Sequence, residues 1–201
     1  MNEVRQQAME IVHILLQEAP RDIPAVSFGM DDPVRQARFV AKLQRDRRAT
    51  VIDQFGNLAL TKAGQTIFIR DRKGLVYFVK WIDCKYSVLP GRHCIQIAVW
   101  RRLGSPPGIA RHVLWKHLFP IHGTLMTDAK QTAKGSQFWG DRIAEALEKG
   151  FYIYRVNLVQ KKRNRISTMD EYRQWHEQVY GPQAKHEQER LVITDKPVPT
   201  G

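Results

Sequence analysis

Residues 123–157 read GTLMTDAKQTAKGSQFWGDRIAEALEKGFYIYRVN, and this stretch decides the fold class. Thr124–Thr127 is short and apolar, as a buried strand is. Asp128–Lys134 is polar and ends at Gly135. From Ser136 onward Trp139, Ile143, Ala146 and Leu147 recur at helical spacing, with Asp141, Arg142, Glu145 and Glu148 on the other face. Gly150 ends that helix. Phe151–Leu158 is aromatic and β-branched, hence a second strand. Strand, polar loop, helix and strand in succession predict a sheet covered by helices. The loop that enters the helix would present unpaired N–H groups and a positive dipole end, which suit an anion.

Working outward, Leu75–Tyr86 and Arg92–Leu103 read as two strands joined by a turn at SVLPG, where Pro and Gly supply the bend. Gly104–Gly108 breaks the pattern. Ile109–Phe119 reads as a helix with Val113, Leu114 and Leu118 inward, closed by Pro120. Beyond Asn157, Gln160–Arg165 reads as a basic loop. Ser167 or Thr168 then caps a helix, with Glu171 completing a capping box, and Tyr172, Trp175 and Val179 form its apolar face. Gly181-Pro182 terminates it, and Leu191–Thr194 is a last strand. The order β-β-α-β-α-β-α-β predicts a mixed sheet in an α+β protein.

Gln131-Thr132-Ala133-Lys134-Gly135-Ser136 follows the strand and opens the helix. Over residues 75–195 the chain resembles the GNAT-type N-acetyltransferase fold, whose Arg/Gln-x-x-Gly-x-Gly/Ala motif binds the pyrophosphate of acetyl-coenzyme A after the fourth strand. The spacing here departs by one residue, and Ser136 stands where Gly or Ala is usual. The resemblance implies that Gln131, Lys134, Gly135 and Ser136 contact pyrophosphate. It places Asn157 and Tyr172 near the cofactor thiol, with Tyr172 as the general acid. The spacing of Tyr172, Trp175 and Val179 also reads as a core stripe, and a GNAT-like scaffold without cofactor would serve as a binding platform.

The front of the chain has a different character. Val4, Ala8, Ile11, Val12, Leu15 and Leu16 trace a helix over 3–18, ended by Pro20 and Pro24. Asp32-Pro33 starts another, running to about Arg47. Phe39, Val40 and Leu43 would face a core; Arg35, Arg38, Lys42 and Arg45 form a cationic stripe that Arg47 and Arg48 extend. Strands at Thr50–Ile52 and Leu58–Leu60 flank a turn at Asp53–Asn57. With the phrase LALTKAGQ, the basic helix and the hairpin, residues 3–70 resemble a winged helix-turn-helix domain. That implies binding of duplex DNA, with phosphates supplying most of the affinity and Arg reading guanine edges. The charged, Gly-ended Arg70–Gly74 reads as a join, dividing the chain into a winged-helix domain over 1–72 and a GNAT-like domain over 73–201.

Composition sets the outer limits. A net charge of +12 over 201 residues draws polyanions. The N-terminal twenty residues carry Glu3, Glu10 and Glu18, unlike a signal peptide, so a cytoplasmic protein is expected, with no membrane partner. Cys84 and Cys94 are too few for a disulfide framework and read as buried thiols lying side by side. His112, His117 and His122 are five apart, a spacing that does not share an α-helical face, so no metal site is expected. Three activities fit this reading: a DNA-binding transcription regulator whose GNAT-like domain senses, dimerises or docks a partner; an acyl-coenzyme A-dependent N-acyltransferase whose basic module recruits substrate; and a mobile-element protein that inhibits a host protein. A protein partner or a second copy of the chain belongs to each of them.

Overall fold

A computed structural model of the chain describes residues 33–45, 49–84, 89–90, 92–127, 133–180 and 188–199. The structure is α+β, with nine strands among the described residues. The expected helix over 3–18 lies outside those residues. Two compact units divide the chain: residues 23–83 with 95–122, and residues 1–22 with 84–94 and 123–201.

The first unit opens on α1, Pro33–Arg45. A meander of five strands follows: β1 (Thr50–Phe55), β2 (Leu58–Ala63), β3 (Thr66–Asp71), β4 (Gly74–Cys84) and β5 (Cys94–Arg101). The first four pair antiparallel in sequence order. The β1–β2 and β2–β3 turns are two residues long and begin with glycine, Gly56 at φ 60° and Gly64 at φ 55°. A glycine at the first central position of a two-residue hairpin fits the twist of the strands. The sequence expectation of a turn at Asp53–Asn57 is therefore corrected: the turn is Gly56-Asn57, and Asp53 belongs to β1. Arg70–Gly74, read above as a join, is the tip of the β3–β4 hairpin with Arg72-Lys73 as its turn, held by the Lys73 N–H donating to Asp71 Oδ1 at 2.8 Å. Ala63, Phe68, Leu75 and Phe78 form a buried cluster under α1, against which Phe39, Val40 and Leu43 pack.

Ile109–His122 completes this unit as one helical run in three parts: α2 (Ile109–Val113), a π-helical turn (Leu114–Leu118) and α3 (Phe119–His122). Val113, Leu114 and Leu118 are buried, as their spacing predicts. Pro120 does not close the helix; the run passes through it to His122. Proline has no N–H to offer the fourth residue back and crowds that carbonyl. Here the preceding turn is widened, with the Phe119 N–H bonded to the carbonyl of Leu114, five residues back.

In the second unit the strand order is β6 (Thr124–Met126), β9 (Glu189–Thr194), β7 (Tyr152–Asn157), β8 (Lys162–Ile166), with antiparallel ladders between β6 and β9, β9 and β7, and β7 and β8. The last strand in sequence is thus central, which explains why Leu191, Val192 and Ile193 are almost fully buried. The basic segment expected as a loop is β8, the outermost strand of this order. Helix α4, Ala133–Glu148, packs on β7, and α5, Met169–Tyr180, packs on β8 and α4. Thr168 caps α5, accepting from the Glu171 N–H at 3.1 Å, and the Glu171 carboxylate completes a variant of the capping box by accepting from the Ser167 N–H, one residue before the cap, at 2.6 Å. Among the described residues no helix is long and apolar enough to cross a membrane.

Candidate functional site

Helix α1 presents the first candidate surface. Phe39 lies 5.1 Å from Phe78, ring centre to ring centre, and Phe78 stacks on Trp100 at 6.2 Å. With that face buried, Arg38, Lys42 and Arg45 are exposed, as three- and four-residue steps on the opposite face require. The side chain of Arg35 lies outside what is described, as do residues Arg47 and Arg48.

A second constellation lies in the same unit. Nε2 of His112 and Nε2 of His117 sit 2.7 and 2.8 Å from one oxygen, Oδ2, of Asp53, and Nζ of Lys116 lies 3.0 Å from Oδ1. Two departures from regular structure make this possible. In β1 the register shifts between Val51 and Asp53, so Ile52 is an extra residue and the strand bulges; a bulge re-aims the side chains beside it. In the helical run the π turn follows His112 and contains His117. On a regular α-helix residues five apart point about 140° away from each other; a wider turn brings them together, and the two rings stand 5.6 Å apart. Phe55 braces His112 edge-on at 5.2 Å. The sequence expectation that these histidines share no face is thereby corrected. The Lys116 ammonium, then the Gln54 backbone N–H and the two imidazoles, hold the Asp53 carboxyl well below the usual carboxylate range.

His117 also lines a cavity of about 150 Å³, shared with Ile52, Ile67, Trp81, Leu118 and Ile121. The walls are mostly apolar. Lys62 lies over the Trp81 ring at 5.7 Å, and His122 meets the same ring edge-on. A concave apolar space beside converging polar groups is the usual form of a small-ligand site.

The residues expected to bind coenzyme A fall in the second unit. Helix α4 begins at Ala133, so Gly135 and Ser136 lie inside its first turn and not in the loop before it. Ser136 does not cap the helix; its hydroxyl meets Nε2 of His176 on α5 at 2.7 Å. Burial pushes the His176 ring below its ordinary value, against a smaller upward pull from Glu177. Gln131 lies outside the described residues, as does the Lys134 side chain. Tyr172 is 6% exposed and stacks toward Trp175 at 6.4 Å, part of the core stripe. Burial, and then Asp141, push its phenol up to about 12, which makes it a reluctant proton donor. Asn157 donates to Glu189 at 2.6 Å in a polar cavity of about 240 Å³ lined also by Arg155, Lys162, Asn164 and Trp175. Ser136 and Tyr172 both meet His176, the hydroxyl at 2.7 Å and the phenol ring at 5.5 Å centre to centre.

No protein-family model, curated protein or solved structure matches this chain. Asp53 gave no signal in the sequence beyond its place in a turn-like phrase. The histidine spacing was visible, but α-helical geometry argued against its use.

Proposed function

We propose that this chain binds duplex nucleic acid through α1, in the manner of a winged helix, with the β1–β2 hairpin as the wing. The observation that carries the reading is the division of α1 into a face buried on Phe68, Leu75 and Phe78 and a face bearing exposed Arg38, Lys42 and Arg45. A helix fixed on a sheet holds its cations in register, and phosphates then supply the affinity by counterion release. The net charge of +12 supports the same partner. The β6–α4–β7 succession supports the companion proposal, that the rest of the chain is a GNAT-like scaffold for sensing, dimerisation or docking.

Fluorescence anisotropy with duplex DNA over a salt series tests the reading. Arg38→Glu with Lys42→Glu should weaken binding severely and lower the slope of log affinity against log salt by about 2. Unchanged affinity and slope would remove it. The acyltransferase reading draws less support, because the Ser136 hydroxyl is committed to His176 and Tyr172 is buried.

A further inference from the structure

We propose that Asp53, His112 and His117 form a binding site for one divalent transition-metal ion of the zinc class, on the rim of the cavity lined by Trp81 and Ile121. Two imidazole nitrogens and one carboxylate oxygen are a donor set that ions of this class accept, leaving a position open to water or substrate. The donor atoms already converge: both Nε2 atoms lie within 2.8 Å of the same Asp53 oxygen. Around a tetrahedral ion with bonds of about 2.0–2.1 Å, neighbouring donors stand about 3.3 Å apart. Each nitrogen need retreat from that oxygen by only about half an ångström, and the three donor atoms all lie within 4.8 Å of one another.

Two further observations point the same way. The bulge in β1 and the π turn after α2 are separate irregularities, one in a strand and one in a helix, and they deliver their side chains to the same place. A bulge and a π turn each forgo regular hydrogen bonding, and both recur beside functional sites. The three side chains are also reachable: Asp53 is 18%, His112 24% and His117 13% exposed.

Lys116 shows what the site attracts. Its ammonium rests on the Asp53 carboxylate, yet the side chain is 57% exposed and its stem is flexible. It occupies the cationic position beside Asp53 and can swing into solvent when a dication takes over. Through His117 the site adjoins a cavity walled by Ile67, Trp81 and Ile121, which suits a small, largely apolar ligand completing the ion's coordination.

Titration of the purified 201-residue chain with cobalt(II) chloride, followed by its visible absorption, tests the site, with zinc chloride as competitor. One equivalent of cobalt should give the intense band of a four- or five-coordinate ion, and zinc should abolish it. His112→Gln and His117→Gln should each weaken cobalt binding by about 100-fold or more, since each removes a direct ligand. Lys116→Ala should tighten it several-fold by removing the competing ammonium. Circular dichroism establishes that each variant is folded. The proposal is overturned if folded wild type and folded Lys116→Ala both give no band, or if the band survives in both histidine variants. Should a histidine variant fail to fold, the Lys116→Ala result decides alone: tightening supports the site and no change overturns it.

Discussion

Two histidine arrangements in this molecule use the same ring nitrogen to opposite ends. His112 and His117 turn Nε2 toward the Asp53 carboxylate, and His117 also lines a cavity. His176 turns Nε2 toward the Ser136 hydroxyl, between two packed helices. A carboxylate ringed by donors keeps its own charge and favours a cation beside it, whether an ammonium or a metal. A hydroxyl between helices asks only for a hydrogen bond, and burial there disfavours the charged ring. The first arrangement can exchange its cation with solvent; the second is a neutral strut.

The contrast can be broken at several points. The largest effect is expected from Trp175→Ala. Trp175 is 3% exposed on the helix that carries His176, and its loss should cost about 3–5 kcal/mol in urea unfolding. A cost below about 1 kcal/mol would mean that α5 is loosely seated and His176 braces nothing. Asp53→Asn comes next. It keeps the shape but removes the charge that Lys116 and both imidazoles surround, so the melting temperature should fall. An unchanged value would reduce the cluster to a solvated ion pair and erase the contrast. The smallest effect sharpens it. Because folding lowers the His176 value, the unfolded chain binds its proton more readily. Stability from this group is therefore complete above the ordinary imidazole range, about 6.5, and declines as pH falls through and below it. His176→Gln should flatten the fall in melting temperature between about pH 7.5 and about pH 5.5; a slope equal to wild type would show that the ring is not held neutral.

Periodicity made part of this molecule legible. The faces of α1, the capping box at Thr168–Glu171, the buried stripe of α4 and the aromatic strand at Tyr152–Asn157 are all local patterns, and local geometry realises them. Other features depend on pairing between distant segments. Asp53 meets His112 and His117 across 59 and 64 residues, and no window of sequence records that. The strand β8 was hidden because KRNRI buries only its last residue fully, and a charged run resembles a loop. The continuation of the helix through Pro120 was hidden because a proline rule calibrated on α-helices does not anticipate a π turn just before it.

The position of β8 has a consequence for how copies of this chain treat one another. An outermost strand offers a row of free backbone groups, which invites a neighbour to add its own strand and begin a fibre. Here an incoming strand would meet Lys162, Arg163 and Arg165 within five residues. Arg163 is occupied by the Pro199 carbonyl and Arg165 by the Tyr152 ring, 4.9 Å away. Growth at this edge is opposed by repulsion between like-charged copies, so the cations that obscure the strand in the sequence also guard it against aggregation.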